Sequence, residues 1–166
     1  MQTRQKQKLL ILQNILLNET DENHKLTVNE LIEKLAAHGV SVERKTVYDD
    51  IATLIDSGLD VMIEKVGHSN YYYIGSRNFQ DEELLVLADA VASSKFLTKK
   101  KSDELIKKLQ NLTSKYKAQQ LRRMIYVGNR VKTYNAAIYY SINAIHDAIF
   151  RDRQIVFRYT ASDLEK

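Results

Sequence analysis

The stretch from Ser41 to Gly58 constrains the fold of this chain more than any other segment. Its apolar residues recur at helical spacing, so they form one stripe along a helix and leave the opposite face polar. Ser41 is placed to cap this helix, because a serine oxygen accepts a hydrogen bond from a first-turn amide, and Gly58 suits the left-handed position that ends a helix. The apolar stripe expected to face a core consists of Val47, Ile51, Leu54 and Ile55.

A second capped helix is predicted just before it, from Leu26 to Gly39, with only a short connection to Ser41. Thr27 opens the sequence T-V-N-E, a capping box in which the threonine oxygen accepts from the Glu30 amide and the Glu30 carboxylate accepts from the Thr27 amide. Two helices joined by so short a turn are typical of a helix-turn-helix. An amphipathic helix predicted from Gln5 to Asn18 completes a three-helix unit.

The pattern after Gly58 changes from helical to strand-like. Two segments rich in β-branched and aromatic residues, Leu59 to Val66 and Tyr71 to Ile74, flank the turn sequence G-H-S-N and predict a β-hairpin. One or two of its three tyrosines are expected to pack on the third helix. Three helices followed by a hairpin form a winged helix-turn-helix, in which the third helix enters the major groove of DNA and the hairpin contacts the backbone or minor groove. We therefore predict a mainly α, α+β fold with such a DNA-binding domain over residues 1–76.

The first two turns of the predicted third helix hold the main candidates for DNA contact. Arg44 can present two donors to guanine, while Thr46 or Tyr48 can contact a phosphate or a thymine methyl group. Exposed Arg and Lys residues on most helices are only solvated, but this fold brings the third helix to the base edges. The alternative interpretation of His68 is that it is only a solvent-exposed residue of the turn. The candidates are Ser41, Arg44, Lys45, Thr46 and Tyr48 in the third helix, Lys65, His68 and Asn70 in the hairpin, and Lys25 and Thr27 at the start of the second helix.

The charge distribution limits any DNA-binding face to a local patch. The whole chain carries a net charge of +4. Residues 1–75, however, hold 8 Lys and Arg against 11 Asp and Glu, a net charge of −3, and the remainder holds 17 against 10, a net charge of +7. Asp49 and Asp50 repel phosphate, so we expect them to face away from DNA or to orient a base-reading neighbour. The predicted basic patch is Arg4, Lys6, Lys8, Lys25, Arg44, Lys45 and Lys65.

Residues 77–127 are predicted to form a helical linker and dimerisation segment. Asp81, Glu82 and Glu83 favour a helix start, because negative charge complements the helix dipole there. A second helix is predicted from near Thr98 toward Tyr116. Two amphipathic helices cannot cover their apolar faces alone, so we expect them to pair with each other and with a second copy or a downstream domain. The apolar face of the first consists of Leu84, Leu85, Leu87, Ala88, Val91, Ala92 and Phe96.

The segment 128–166 is predicted to start a further domain. Its sequence YVGNRVKTYN favours irregular chain, Tyr139 to Arg151 favours a helix, and QIVFRY alternates like a strand. A lone strand has no ladder partner, so we expect this strand to pair with another chain or to open a domain that is incomplete here.

These segments together resemble the amino-terminal half of bacterial WYL-domain transcriptional regulators, whose winged helix is of the DeoR-like type. The resemblance is carried by TVYDDIATL, NYYYI, FQDEELLVLADAVASSKFLTKKKSDELIKKL and VKTYNAAIYYSINAIHDAIFRDRQIVFRY. It implies a homodimer that places two winged helices on DNA, with DNA contacts at Arg44, Lys45, Thr46 and Tyr48 and at residues 65–70. It also implies that residues 128–166 begin a small Sm-like β-barrel that senses an effector. The chain has no Trp for the Trp-Tyr-Leu motif, so no effector-binding residue is assigned.

Composition excludes several classes of function. The chain has no cysteine, which excludes disulfides and thiolate chemistry, and no apolar run approaches the roughly 20 residues that span a bilayer. The polar start MQTRQKQK has no signal-peptide pattern, so we expect a cytoplasmic, nucleoid-associated protein with no membrane partner. The four histidines lack metal-ligand spacing, and no phosphate loop or nucleophile motif is present. We expect no enzyme activity, no metal and no cofactor.

The leading hypothesis from the sequence is a dimeric, sequence-specific regulator that binds double-stranded DNA and responds to an effector through a downstream WYL domain. The alternative is a protein-interaction module that uses the winged helix and the amphipathic helices to dock another protein without binding DNA.

Overall fold

The computed structural model describes residues 2–125, 134 and 137–156, and the predicted α+β class is confirmed. Helices dominate these residues, and the strands form one small antiparallel sheet. The elements are α1 Gln2–Glu19, β1 Leu26–Thr27, α2 Val28–Ala37, α3 Arg44–Asp56, β2 Val61–Val66, β3 Ser69–Ile74, α4 Asp81–Ser93, α5 Lys99–Gln110, α6 Lys115–Ile125 and α7 Ala137–Phe150.

The first core lies between α1, α2, α3 and one face of the sheet. Three residues of the predicted α3 stripe, Val47, Ile51 and Leu54, are buried in it, which confirms them as core residues. The fourth, Ile55, is 39% exposed, so its prediction as a core residue was wrong. Ile55 lies about 100° around the helix from Leu54, at the edge of the stripe beyond Ile51 and in the last turn of α3. The other core residues are Leu12, Ile15, Leu16, Val28, Leu31, Leu35, Val61, Tyr72 and Ile74.

The cap predicted for α2 is present in the structure, and the cap predicted for α3 is not. The Glu30 amide donates to Thr27 Oγ1 at 3.4 Å and the Thr27 amide donates to Glu30 Oε2 at 2.7 Å, so the capping box is confirmed. Ser41 does not cap α3, which begins at Arg44 after Glu43. Residues 40–43 instead form a connection that packs Val40 and Val42 against the core.

The sheet has the strand order β1-β3-β2, with both pairs antiparallel. The predicted four-residue turn is shorter in the structure, because Ser69 pairs with Val66 and Asn70 pairs with Lys65. Gly67, with φ +60°, and His68 alone connect the strands. Strand β1 was not predicted, since Leu26 and Thr27 were assigned to the second helix; they pair instead with Tyr72 and Tyr71.

Helices α4, α5 and α6 enclose a second core. The helix predicted to run from Thr98 to Tyr116 is in fact two helices. Thr98 caps α5, whose last residue is Gln110, and Ser114 Oγ accepts from the Lys117 amide at 3.2 Å at the start of α6. The predicted apolar face of α4 was partly wrong, because Leu87 and Phe96 are exposed. The buried residues of this core are Leu84, Ala88, Ala92, Ile106 and Leu121.

Polar contacts around Asp21 join the first helical unit to α6. The Asp21 carboxylate is 1% exposed and accepts from Ser114 Oγ at 2.5 Å and from His24 Nδ1 at 2.7 Å. The His24 ring stacks on Tyr116 with 3.5 Å between centroids. Lys117 Nζ lies 2.7 Å from a Glu22 oxygen.

Two further contacts join the same parts of the chain. Lys115 Nζ lies 2.6 Å from Glu19 Oε2. Arg77, in the loop before α4, donates to the Leu17 carbonyl at 3.0 Å and to the Thr20 carbonyl at 2.6 Å. Two carbonyls at the end of α1 are therefore satisfied by a side chain that belongs to the connection to the second core.

The carboxyl-terminal helix is confirmed as α7, but the strand predicted after it was partly wrong. Gln154, Ile155 and Val156 are not in a strand, and Val156 is almost fully exposed, so these residues have no ladder partner among the described residues. The rest of that predicted strand lies outside the described residues. So does the predicted irregular segment at 126–135, except for Tyr134, which is fully exposed.

Candidate nucleic-acid interface

The amino-terminal turns of α3 present the predicted DNA contacts as one exposed group. Arg44 and Lys45 are exposed, Thr46 is half-buried, and Tyr48 is 37% exposed. Arg44 Nε donates to Tyr48 Oη at 3.0 Å, and the guanidinium carbon lies 5.8 Å from the centre of the Tyr48 ring. Residues four apart on a helix share a face, so Tyr48 is placed to hold the Arg44 side chain along α3.

The β2–β3 hairpin carries Lys65 and Asn70 on the sheet face that packs against the helices. The two residues are cross-strand partners and therefore share a face. Asn70, Tyr72 and Ile74 alternate onto that same face, and the latter two are buried in the first core. His68 lies in the exposed turn beyond them. The hairpin candidates thus lie on the α3 side of the sheet and at its tip.

Tyr72 connects the α3 candidates with the hairpin. Burial raises the pKa of Tyr72, and a hydrogen bond from the Asn70 side chain opposes that shift. Tyr48 also raises the pKa of this hydroxyl, whereas the positive charge of Arg44 lowers it. We call Arg44, Tyr48, Asn70 and Tyr72 the Tyr72 group. It brings together three of the predicted site residues, and Tyr72 itself was predicted only as a packing residue.

Three other candidates lie apart from this group. Lys25 forms an ion pair with Glu64 and lies 4.9 Å over the Tyr73 ring, on the opposite face of the sheet from Tyr72. The Glu64 hydrogen bond raises the pKa of Lys25. The Thr27 hydroxyl is engaged with Glu30 in the capping box, and Ser41 is exposed in the connection before α3.

One predicted basic residue and one acidic residue neutralise each other inside the fold. Lys8 Nζ lies 2.7 Å from Asp50 Oδ2, with side-chain exposures of 8% and 15%. Lys8 therefore does not belong to the predicted surface patch, because it points from α1 toward α3. Asp50 faces away from the exposed side of α3, as one of the two predicted options required, while Asp49 is exposed. The side chains of Arg4 and Lys6 lie outside the described residues.

The described residues contain no group of three or more His, Cys, Asp or Glu side chains that could hold a metal ion. None of the helices in the described ranges is long and apolar enough to cross a membrane. No protein-family model and no curated protein matches this chain.

Proposed function

We propose that the chain is a sequence-specific, double-stranded DNA-binding transcriptional regulator that acts as a dimer. In this proposal α1 to α3 and the β2–β3 hairpin form a winged helix-turn-helix, with α3 in the major groove and the hairpin as the wing. The observation that carries the proposal is the exposed start of α3, where Arg44 Nε donates to Tyr48 Oη at 3.0 Å, beside a hairpin whose Tyr72 is buried in the same core as Val47 of α3. Control by an effector would come through a downstream WYL domain.

Arg44 has the geometry expected of a base-reading residue. Its Nε is engaged with Tyr48, which leaves the two terminal nitrogens to donate to O6 and N7 of a guanine. Lys45 and Thr46 would contact phosphates beside the groove. Lys65, His68 and Asn70 would bring the wing to the backbone or minor groove, which sets the orientation of α3 rather than the sequence that it reads.

The net charge of the proposed DNA-binding domain indicates that one copy alone binds DNA weakly. Residues 1–75 carry a net charge of −3, and Lys8 and Lys25 are both paired with carboxylates. Few cations therefore remain for phosphates. Two copies on a two-fold symmetric site would double both the phosphate contacts and the base contacts.

The test is selection of a random double-stranded DNA library on the purified chain. We expect a two-fold symmetric site to be enriched by the wild type and lost in Arg44→Ala/Lys45→Ala. The matched control is Lys107→Ala/Lys108→Ala, which removes the same two charges from exposed positions on α5 and should keep the site. A folded dimer that enriches no sequence would overturn the proposal.

Exposed apolar residues on β2 favour a second candidate, a protein-interaction module. Met62, Ile63 and Val66 are 43%, 52% and 54% exposed, which is unusual for a strand that meets only phosphates. Salt discriminates the two functions. Binding through about 6 to 10 phosphate contacts weakens by roughly 10³ to 10⁵ between 50 and 200 mM salt. A largely apolar protein interface would change little over the same range.

A further inference from the structure

A cleft lies between the first helical unit and the second core, where the chain passes from one to the other. Its volume is about 980 Å³. Small-molecule sites commonly have volumes of roughly 300–1,000 Å³ and often lie between domains. One wall consists of the end of α1 and the turn from α3 to β2, the other of the end of α5 and the start of α6, and residues 76–78 connect the two. We call this space the junction cleft.

Contacts across the junction hold the two walls of the cleft together. Arg77 lines the cleft and donates through Nη2 to the carbonyls of Leu17 and Thr20 at 3.0 Å and 2.6 Å. Lys115, on the second wall, pairs with Glu19 of α1 at 2.6 Å. A cleft whose walls are already joined costs less entropy to order when a ligand binds. The junction cleft is therefore largely pre-formed.

Side-chain amides are concentrated in the junction cleft. Gln110 Nε2 donates to the Ala118 carbonyl at 3.2 Å. The side chains of the four asparagines in the cleft have no hydrogen-bond partner in the described part of the chain. An amide offers both donors and an acceptor, as the hydroxyl groups of a ligand do, so the two kinds of group match each other. The amide residues that line the cleft are Asn14, Asn18, Asn78, Gln110 and Asn111.

The charged groups of the cleft leave one net positive charge. Lys107 is exposed and has no ion-pair partner among the described residues, and Nε and Nη1 of Arg77 have no acceptor there either. Lys115 is neutralised by Glu19. Asp60 is the one acid among the described residues that line the cleft. Two cations against one carboxylate balance a ligand with a single negative charge, whereas a dianion would keep an uncompensated charge.

We propose that the junction cleft binds a small hydroxylated monocarboxylate, such as a sugar acid. The carboxylate of the ligand would pair with Lys107 and Arg77, and its hydroxyl groups would bond to the asparagine amides of both walls. Leu112, which lines the cleft and is 42% exposed, offers apolar surface to the carbon chain of the ligand. Such a ligand contacts both units at once and so stabilises their junction. The inference goes beyond the proposed function and needs no DNA.

Isothermal titration calorimetry of the full chain with D-gluconate, in the absence of DNA, tests the site. We expect saturable binding of gluconate and no binding of glucose, which has the hydroxyl groups without the charge. Glucose 6-phosphate, whose phosphate is a dianion, should bind at least about tenfold more weakly than gluconate. Absence of gluconate binding at the highest concentration that calorimetry allows would overturn the site. Tighter binding of glucose 6-phosphate would overturn the choice of a monocarboxylate.

Exposed positions on α5 and after it allow variants that leave the core unchanged. Lys107→Ala should weaken gluconate binding at least about tenfold, because it removes the unpaired cation, while Lys107→Arg should bind close to the wild type. Asn111→Asp adds a carboxylate to the cleft and should weaken binding at least as much. The matched control is Lys108→Ala, which removes a charge from the next residue of α5, outside the cleft lining. Equal affinities of Lys107→Ala and Lys108→Ala would contradict the site.

Calorimetry without DNA also separates this inference from the proposed function. Sequence selection by a chain that does not bind gluconate would leave DNA reading intact and reject the site. Gluconate binding by a chain that selects no sequence would reject DNA reading and leave the site standing.

Discussion

Within the Tyr72 group, Tyr48 restrains the exposed side chain of Arg44. Arg44 Nε donates to Tyr48 Oη, and the guanidinium lies 5.8 Å from the centre of the Tyr48 ring. An arginine that is already restrained loses less side-chain entropy when it binds. Arg44 is therefore prepared for contact in a way that the exposed Lys45 is not.

Tyr48→Phe tests that restraint. The substitution keeps the ring and removes the hydrogen bond to Arg44, which is worth about 0.5 to 1.5 kcal/mol. We expect affinity for the selected DNA to fall by about that amount, with weaker preference at the base that Arg44 reads. Arg44→Ala should cost about 1 to 3 kcal/mol of discrimination at that base. Fluorescence anisotropy with single-base variants of the site measures both.

The control for this series is Tyr71→Phe, on the other face of the hairpin, which should bind like the wild type. Lys65→Ala should weaken binding to all sequences alike, as a phosphate contact does. Equal losses on every sequence for Arg44→Ala would contradict the base-reading role.

The Lys8–Asp50 pair is a second residue-level feature with a measurable cost. Removing one partner of a buried ion pair leaves an uncompensated charge, at about 3 to 5 kcal/mol. We expect Lys8→Ala to lower the free energy of unfolding by about 3 kcal/mol in urea titrations. Asp49→Ala, at the exposed neighbouring position, should change it by less than about 0.5 kcal/mol. Lys8→Met/Asp50→Leu should recover most of the loss, and a double variant as unstable as Lys8→Ala would show that the pair is not replaceable by packing.

Sequence spacing predicted the exposed candidates and missed the buried ones for a physical reason. Arg44, Tyr48 and Asn70 follow from their places in a helix and a hairpin. Which of three consecutive tyrosines faces the core depends on strand register, and that register follows from a turn two residues shorter than predicted. Lys8 was assigned to the surface because lysines are seldom buried without a partner, and its partner is 42 residues away in the chain.

Among the elements, the capping box at the start of α2 was predictable from the sequence, whereas the single serine before α3 was misleading. The capping box of α2 needs Thr27 and Glu30 together, which makes the pattern specific. Ser41 alone was a weaker indication, and packing of Val42 places the start of α3 later. The break between α5 and α6 escaped prediction because Leu105, Leu109 and Leu112 continue one helical stripe across it.

Thr27→Ala should therefore lower the free energy of unfolding by about 1 kcal/mol, since it removes the oxygen that accepts from the Glu30 amide. Thr27→Ser keeps that oxygen and should stay close to the wild type. Thermal and urea unfolding followed by circular dichroism distinguish the two. A Thr27→Ala variant as stable as the wild type would mean that β1 pairing alone holds the start of α2.

At the scale of the whole molecule, ion pairs and hydrogen bonds join α1 and the loop after it to α6 and to the loop before α4. Burial alone would raise the pKa of Asp21 and of Glu19, but hydrogen bonds outweigh it and lower both values. Those bonds come from Ser114 and His24 to Asp21, and from Lys115 and Lys34 to Glu19. A hydrogen bond from Lys117 lowers the pKa of Glu22 as well.

These shifts predict a loss of stability in acid. A carboxylate whose pKa is lower in the folded state stabilises the fold fully above its ordinary pKa and loses that contribution as the pH falls through the folded value. As the pH falls, the loss of stability should therefore begin near pH 4.5 for Glu19 and Glu22 and near pH 3.8 for Asp21, and it should continue at lower pH. Urea unfolding from about pH 6 down to about pH 3 measures it. Asp21→Asn should be less stable at neutral pH and show a shallower pH dependence; an unchanged slope would exclude Asp21 as a contributor.

The short connection at Gly67 and His68 sets a limit on how far the hairpin can extend from the body of the protein. The length of the hairpin is determined by the number of residue pairs between the core and the turn, and each added pair would lengthen the hairpin by about 3.4 Å. Adding two pairs would keep the alternation of faces, while adding one would turn the tip residues over. The number of residue pairs therefore determines how far the turn of the hairpin lies from α3. Variants that differ only in this number would measure the distance between the site that α3 contacts and the site that the turn contacts.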